Sequence, residues 1–268
     1  MEKSSMKYWE NCQESQRVRD LIKCGVLNDL DIEFVIISHK RPENVEHIDK
    51  LFPFAMWCIS EEDSPNYKVS DERKIIHSND ILGLGKKRQW VLDNIKTDIV
   101  VQIDDDIKFV ACMVGNRYRK INNSNNIFDI IYFNNHNAKE IGAKVCAFTQ
   151  SNVDTRKFTA TTPFSLNSWC ECVVGVIGRD IRFDTELMTK VDIDFSLKNL
   201  LKNRYTWIDK RFTFANDRFN NLGGSSVLRT KTLDNKQIDK LIKRWKPYLS
   251  YKQGNSTYRM SMSVRRKQ

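Results

Sequence analysis

The stretch DIVVQIDDDI, Asp98–Ile107, joins a β-branched apolar run to three consecutive aspartates. A short apolar run bounded by polar residues has the composition of a strand buried on both faces, as parallel strands are. The strand is expected over Asp98–Ile103, ending directly in Asp104, Asp105 and Asp106. Three adjacent carboxylates repel one another, and a cation or strong donors must offset that repulsion. Alternation along an extended chain sends Asp104 and Asp106 to the same side. Two hard oxygen ligands so placed suit Mg2+ or Mn2+, which complete their shells with waters and substrate phosphates. Taken alone, the triplet also fits a solvated turn or a helix cap. Its position at a strand end favours the metal.

Upstream, Glu33–Ser38 (EFVIIS), Ala55–Ser60 and Lys74–His77 read as further short strands separated by stretches of helix or loop length. This is βαβ spacing. Gly83–Leu84–Gly85 leads into a helix at Lys86–Ile95, with Trp90, Val91 and Ile95 inward and Lys86, Lys87 and Arg88 in its first turn. Cations there oppose the helix dipole, so a basic first turn makes sense when something anionic docks on it. Downstream, a polar turn at Asn122–Asn126 precedes a helix at Ile127–Ile141, and Lys144–Thr149 and Cys172–Gly178 read as strands. The Ser/Thr/Asn-rich stretch Gln150–Ser168 is a loop of the length that usually serves function. A helix at Val191–Asn203, a strand at Tyr205–Phe214, a loop at Asn220–Ser226 and a basic amphipathic helix at Asp234–Trp245 follow. Alternating strands and helices imply an α/β fold with a mostly parallel central sheet flanked by helices, which binds ligands outside the carboxyl ends of its strands.

The 268 residues suffice for one compact catalytic unit. The apolar runs fall far short of the roughly 20 residues that cross a bilayer, and Met1–Arg19 lacks the apolar core of a secretory signal. A cytoplasmic protein with no membrane partner is therefore expected. Seven cysteines at irregular spacing form no disulfide framework, and Cys170 and Cys172 read as reduced core residues. The net charge of +10, weighted toward Lys243, Arg244, Lys246, Arg265, Arg266 and Lys267, suits polyanionic partners such as nucleic acid, and equally a solubilising end. The oligomeric state is not legible.

The ordered set VIISHKRPE, GLGKKRQWVLDN, DIVVQIDDDI and VDIDFSLKNLL resembles the inverting GT-A (Rossmann-like) glycosyltransferases, which move sugar from a nucleotide-sugar donor to an acceptor hydroxyl. It covers residues 31–225, leaving a helical leader (1–30) and a basic helix and tail (226–268) outside. The resemblance implies a donor-binding half at 31–110 and an acceptor half at 111–225. It implies that Asp104 and Asp106 bind the metal bridging the phosphates of a donor, by family default a UDP-sugar, with Asp105 near the ribose or sugar. It places His39 and Arg41, after the first strand, near the base and ribose, and Lys87 and Arg88 near the nucleotide. The family's acidic motif reads Glu-Asp-x-Asp, whereas this chain has Val191-Asp192-Ile193-Asp194, without the glutamate. The resemblance makes Asp192 the general base that deprotonates the acceptor, with Asp194 as the alternative. Both also fit as dipole-favoured carboxylates of a helix start. Trp169 and Glu171 fall where related folds line the acceptor, and a buried Trp with a paired Glu explains them equally well.

YTWIDKRFTFAND followed by NNLGGSS looks like the TET-associated and phage DNA-base glycosyltransferases. That likeness implies a 5-hydroxymethyl group of a DNA pyrimidine as acceptor, with the basic excess holding the backbone. A glycosyltransferase acting on a protein, a lipid-linked carrier or a capsule precursor would keep the donor chemistry. A non-catalytic nucleotide- or DNA-binding module would keep the fold alone, which the intact acidic triplet argues against.

Overall fold

A computed structural model describes residues 7–114, 117–149, 163–216, 230–251 and 260–264. The Asn220–Ser226 loop, most of the 150–168 stretch and Arg265–Lys267 lie outside the described residues. Strands β1 (Ile32–Ile37), β2 (Met56–Ser60), β3 (Lys74–His77) and β4 (Ile99–Asp104) pair in parallel in the order β3-β2-β1-β4. The same sheet continues through β9 (Val173–Ile177), β7 (Val145–Thr149), β10 (Trp207–Asn216), β5 (Ile107–Val114) and β6 (Arg117–Ile121), with β8 (Phe164–Ser165) beside β10. β9, β5 and β8 run against the others. The expected α/β class, a mostly parallel central sheet flanked by helices, is what the chain adopts.

Every residue of β1 is buried, because helices cover both faces of the sheet. Phe34 and Ile36 point into a core shared with α2 (Val45–Leu51) and α4 (Ser124–Glu140). Val35 and Ile37 point into a second core, shared with α3 (Leu84–Asn94), α5 (Val191–Asn203) and α6 (Lys231–Trp245). At about 1.5–3 kcal/mol for each fully buried large apolar side chain, such strands anchor the domain. The 1–30 segment adds to the first core: Trp9 is buried and its indole N–H donates to Ile32 O at 2.8 Å, and Val18 of α1 (Gln16–Lys23) is buried too. The hairpin β11 (Leu249–Tyr251) and β12 (Met260–Met262) packs Leu249 and Met260 into the second core.

β5 and β6 are not among the strands expected from the sequence. Lys108 interrupts the first, and the second, Arg-Tyr-Arg-Lys-Ile, is a polar edge strand whose ladder with β5 supplies what its side chains do not. The α3 orientation also differs from the expected one. Lys87 and Arg88 are 4% exposed and Trp90 is only half-buried, so the first turn of α3 faces the interior. Gly85 permits this: a Cβ there would stand 2.2 Å from Asp184 O.

Candidate active site

Strands are added outward from β1 to β3, and the chain then returns to place β4 on the other side of β1. Such a switch opens a crevice at the carboxyl ends of the two strands. Ile37 pairs with Asp104 in register, so the residues after β1 and the acidic triplet meet there.

Asp105 is 4% exposed and held within the protein at both oxygens. Ser38 Oγ donates to one at 2.5 Å and Arg41 to the other at 2.7 Å. Since the Ser38 proton is used, the Tyr67 hydroxyl, 2.6 Å away, donates to Ser38, and it accepts from Arg41 N at 3.0 Å. Asp106 receives Arg41 at 3.3 Å and the Asn216 amide, from the end of β10, at 3.2 Å. Asp104 receives Arg88 at 2.6 Å, while Arg88 also donates to Gln102 at 3.2 Å. The buried arginines thus supply the donors that the adjacent carboxylates require.

The balance is incomplete at Asp104. Burial, opposed by Arg88 and reinforced by the charges of Asp106, Asp105 and Asp192, raises its pKa to about 7. Asp105 is shifted upward too, by burial first. Lys87 donates to Ser38 O at 2.5 Å, and its pKa is lowered by burial. His39 pairs with Asp63 at 3.2 Å, and its pKa is lowered by burial and then by Lys87. Ser38, His39, Arg41, Lys87 and the three aspartates line a cavity of about 110 Å3 together with Gly83 and Met188.

Among the described residues, no three His, Cys, Asp or Glu side chains are placed to form a metal cage. The cluster instead fits an ion that takes one or two carboxylates and finds its remaining oxygens on a substrate. Asp104 and Asp106 border the cavity with the right donor chemistry, and a cation would ionise the carboxyl that burial has pushed up.

Asp192 opens α5, half-buried and close enough for its charge to act on Asp104. Asp194 has a different surrounding. It is fully buried, accepts from Arg244 at 2.9 Å and from the Trp245 indole at 2.8 Å, and faces Lys198 at 2.8 Å. It ties α5 to α6. The Trp169 indole donates to Glu171 at 2.6 Å, the pairing that a structural role requires. The adjoining Cys172 carbonyl accepts from Asp104 N at 2.8 Å, which sets this segment against the acidic triplet.

No protein-family model matches the chain, and no curated protein sequence does. Among solved structures it is similar to glucosyl-3-phosphoglycerate synthase from Mycobacterium tuberculosis bound to Mg2+ and UDP, with 13% identity, a TM-score of 0.49 and coverage of 92% of this chain and 91% of that one. It is also similar to the S. aureus TarS 1–349 fragment bound to UDP-GlcNAc, with 11% identity, a TM-score of 0.46 and 79% of this chain covered. This chain spans 66% of that fragment, and 58% in its other crystal structure. CMP:2-keto-3-deoxy-manno-octonic acid synthetase with CTP follows at 8% identity, a TM-score of 0.40 and coverage of 80% and 98%. Likeness at this level leaves the activity to be read from the site itself.

Several site residues escape a sequence reading. Ser38 is a strand-end serine, Tyr67 and Asn216 are far from the triplet in sequence, and Met188 carries no chemical signature. Only the fold brings them together.

Proposed function

We propose that the protein is a metal-dependent glycosyltransferase that moves a sugar from a nucleotide sugar, by our reading a UDP-sugar, to an acceptor hydroxyl. One observation carries the reading: Asp104, Asp105, Asp106 and Asp192 converge at the β1/β4 switch point beside buried Arg41, Lys87 and Arg88. Opposite charges so concentrated, next to a cavity, suit a ligand that brings both phosphate oxygens and a cation. Mg2+ or Mn2+, when bound by Asp104 and Asp106, would supply positive charge to the departing diphosphate. Lys87 and Arg88 stand beside that position, Arg41 holds Asp105 and Asp106 in place, and His39, just after β1, lines the cavity. Asp192, on a separate element, is our candidate to take the proton of the acceptor hydroxyl as it attacks the anomeric carbon, an in-line displacement that inverts that carbon. We assign Asp194 to structure rather than to catalysis, because its carboxylate is sealed against α6.

For the acceptor, we favour a 5-hydroxymethyl pyrimidine in DNA. The net charge of +10 and the exposed Arg117, Arg119 and Lys120 on edge strand β6 support a polyanionic partner. Reaching a paired base would require the groove or a flipped nucleotide, at a cost of a few kcal/mol that phosphate contacts offset. The test is incubation with hydroxymethylated DNA, Mn2+ and a panel of nucleotide sugars, followed by mass spectrometry of the nucleosides. A hexose or pentose mass added to hydroxymethylated nucleoside is the expected result. Donor hydrolysis without DNA modification would keep the transferase and discard the DNA acceptor; no donor turnover would discard both.

A further inference from the structure

α6 lies outside the catalytic cluster, yet its polar side chains converge on the short segment that feeds it. Gln237 is 7% exposed, and its single carbonyl oxygen accepts from Met188 N at 3.1 Å, Thr189 N at 2.9 Å and Thr189 Oγ1 at 3.3 Å. Asp234 pairs with Lys190 at 3.5 Å, and Lys240 with Glu186 at 2.6 Å. Arg244 bridges Asp184 and Asp194. Ile238 and Leu241, buried on the same helix, fasten it to the second core.

The far side of the same segment presses on α3. A Cβ at Gly85 would meet Asp184 O at 2.2 Å and Leu187 O at 2.6 Å, and one at Gly83 would meet the Met188 side chain at 3.6 Å. Residues 184–190 are therefore held between α3, which carries Lys87 and Arg88, and α6. Met188 borders the cavity, and two residues on, Lys190 adopts a left-handed φ of 58° that starts α5 and presents Asp192. A loop residue in that strained region persists when its surroundings fix it.

We infer that α6 is a brace: Gln237 and Arg244 are positioning residues that hold Met188 at the cavity wall and the start of α5, with Asp192, in place beside the cluster. This rests on the transferase reading only for its effect on turnover. A shift of about 1 Å in a reacting group costs on the order of 10²-fold in rate, whereas a nucleotide held by the β1 and β4 ends would be little affected.

The test compares Gln237→Leu, which removes the acceptor, with Gln237→Glu, which keeps an acceptor oxygen, and Arg244→Met with Arg244→Lys. Hydrogen exchange of residues 184–194 is measured alongside kcat and KM for nucleotide-sugar turnover and calorimetric UDP binding with Mn2+. In Gln237→Leu and Arg244→Met, faster exchange of the segment with β1 and β4 unchanged is expected. The kcat should fall on the order of 10–10²-fold with donor KM and UDP affinity kept. The Glu and Lys variants should recover most of both. Unchanged exchange, or faster exchange with unchanged kcat, overturns the brace. A wild-type protein that neither binds UDP nor turns over nucleotide sugar overturns the transferase reading instead, and the exchange comparison then still decides whether α6 holds the segment.

Discussion

The Arg88 guanidinium donates to the Asp104 carboxylate at 2.6 Å, and neither partner is fully open to water. Substituting either side has unequal consequences. Without Arg88, Asp104 can accept a proton; without the Asp104 charge, Arg88 stays cationic and buried. Asp104→Asn should nevertheless fold with little loss of stability, because burial and the neighbouring carboxylates already favour a neutral side chain at this position and the asparagine oxygen still accepts from Arg88. Transfer should fall by about 10²–10³-fold, as when one electrostatic stabiliser of a transition state is removed. Asp106→Asn should match that loss of activity, again with little loss of stability, since Arg41 reaches Asp106 only at 3.3 Å and keeps Asp105. Urea unfolding and transfer assays with and without chelator check this. Full activity in either variant, or in excess chelator, would remove the metal assignment.

Asp192→Asn separates proton removal from donor binding. Asp192 comes from α5 and the triplet from β4, so the variant should keep UDP affinity while turnover falls by about 10²–10⁴-fold. Asp194→Asn should behave otherwise, losing stability because Arg244 and Lys198 would face a neutral side chain in the interior. If Asp194→Asn lost turnover at full stability, and Asp192→Asn did not, the two roles would have to be exchanged.

The difference between Asp192 and Asp194 shows where sequence stops being informative. Both stand two apart at a helix start, and only the docking of α6, some fifty residues later, seals one and leaves the other near Asp104. β1 and β4 were more legible, because they are buried on both faces and so write short runs, apolar but for Glu33 and Gln102, that end at the site. The burial of Lys87 and Arg88 was not, since a basic helix start points to an external anion, whereas the Ser38 carbonyl and Asp104 of the protein itself take up these donors. β6 escaped because an edge strand needs few apolar residues, and β5 because it follows the acidic triplet directly and Lys108 breaks its apolar run.

Glu33 gives a pH-dependent stability unrelated to the site. It lies in β1 at 6% exposure, and burial raises its pKa to about 7, with the Phe34 amide and Lys7 opposing. The unfolded chain releases this proton near pH 4.5, so the folded protein binds more protons between that pH and about 7. Its contribution is thus fully present below about pH 4.5 and is lost as pH rises to about 7, by about 3 kcal/mol in all. Glu33→Gln should equal the wild type in urea unfolding at pH 4.5 and exceed it at pH 8. Equal stability at both values would mean that Glu33 is ionised in the fold.

The basic C-terminal region tests the DNA acceptor, and the structure decides which cations can take part. Arg244 is committed to Asp184 and Asp194, so of the α6 end only Lys243 and Lys246 remain as exposed candidates among the described residues. Removing residues 255–268 would also remove Met260, which is buried in the second core, and would confuse binding with folding. Replacing Lys243, Lys246, Arg265, Arg266 and Lys267 by Ala avoids that. Each phosphate that the variant no longer neutralises should flatten the slope of log K against log salt by about 0.9 on duplex DNA, because fewer counterions are released. UDP binding should stay unchanged, since the cavity proposed to hold the donor lies at the ends of β1 and β4 and neither Lys243 nor Lys246 lines it. Filter binding at graded salt measures the slope. An unaltered affinity and slope would make these residues a solubilising surface, leaving Arg117, Arg119 and Lys120 of β6 as the remaining support for a nucleic-acid acceptor.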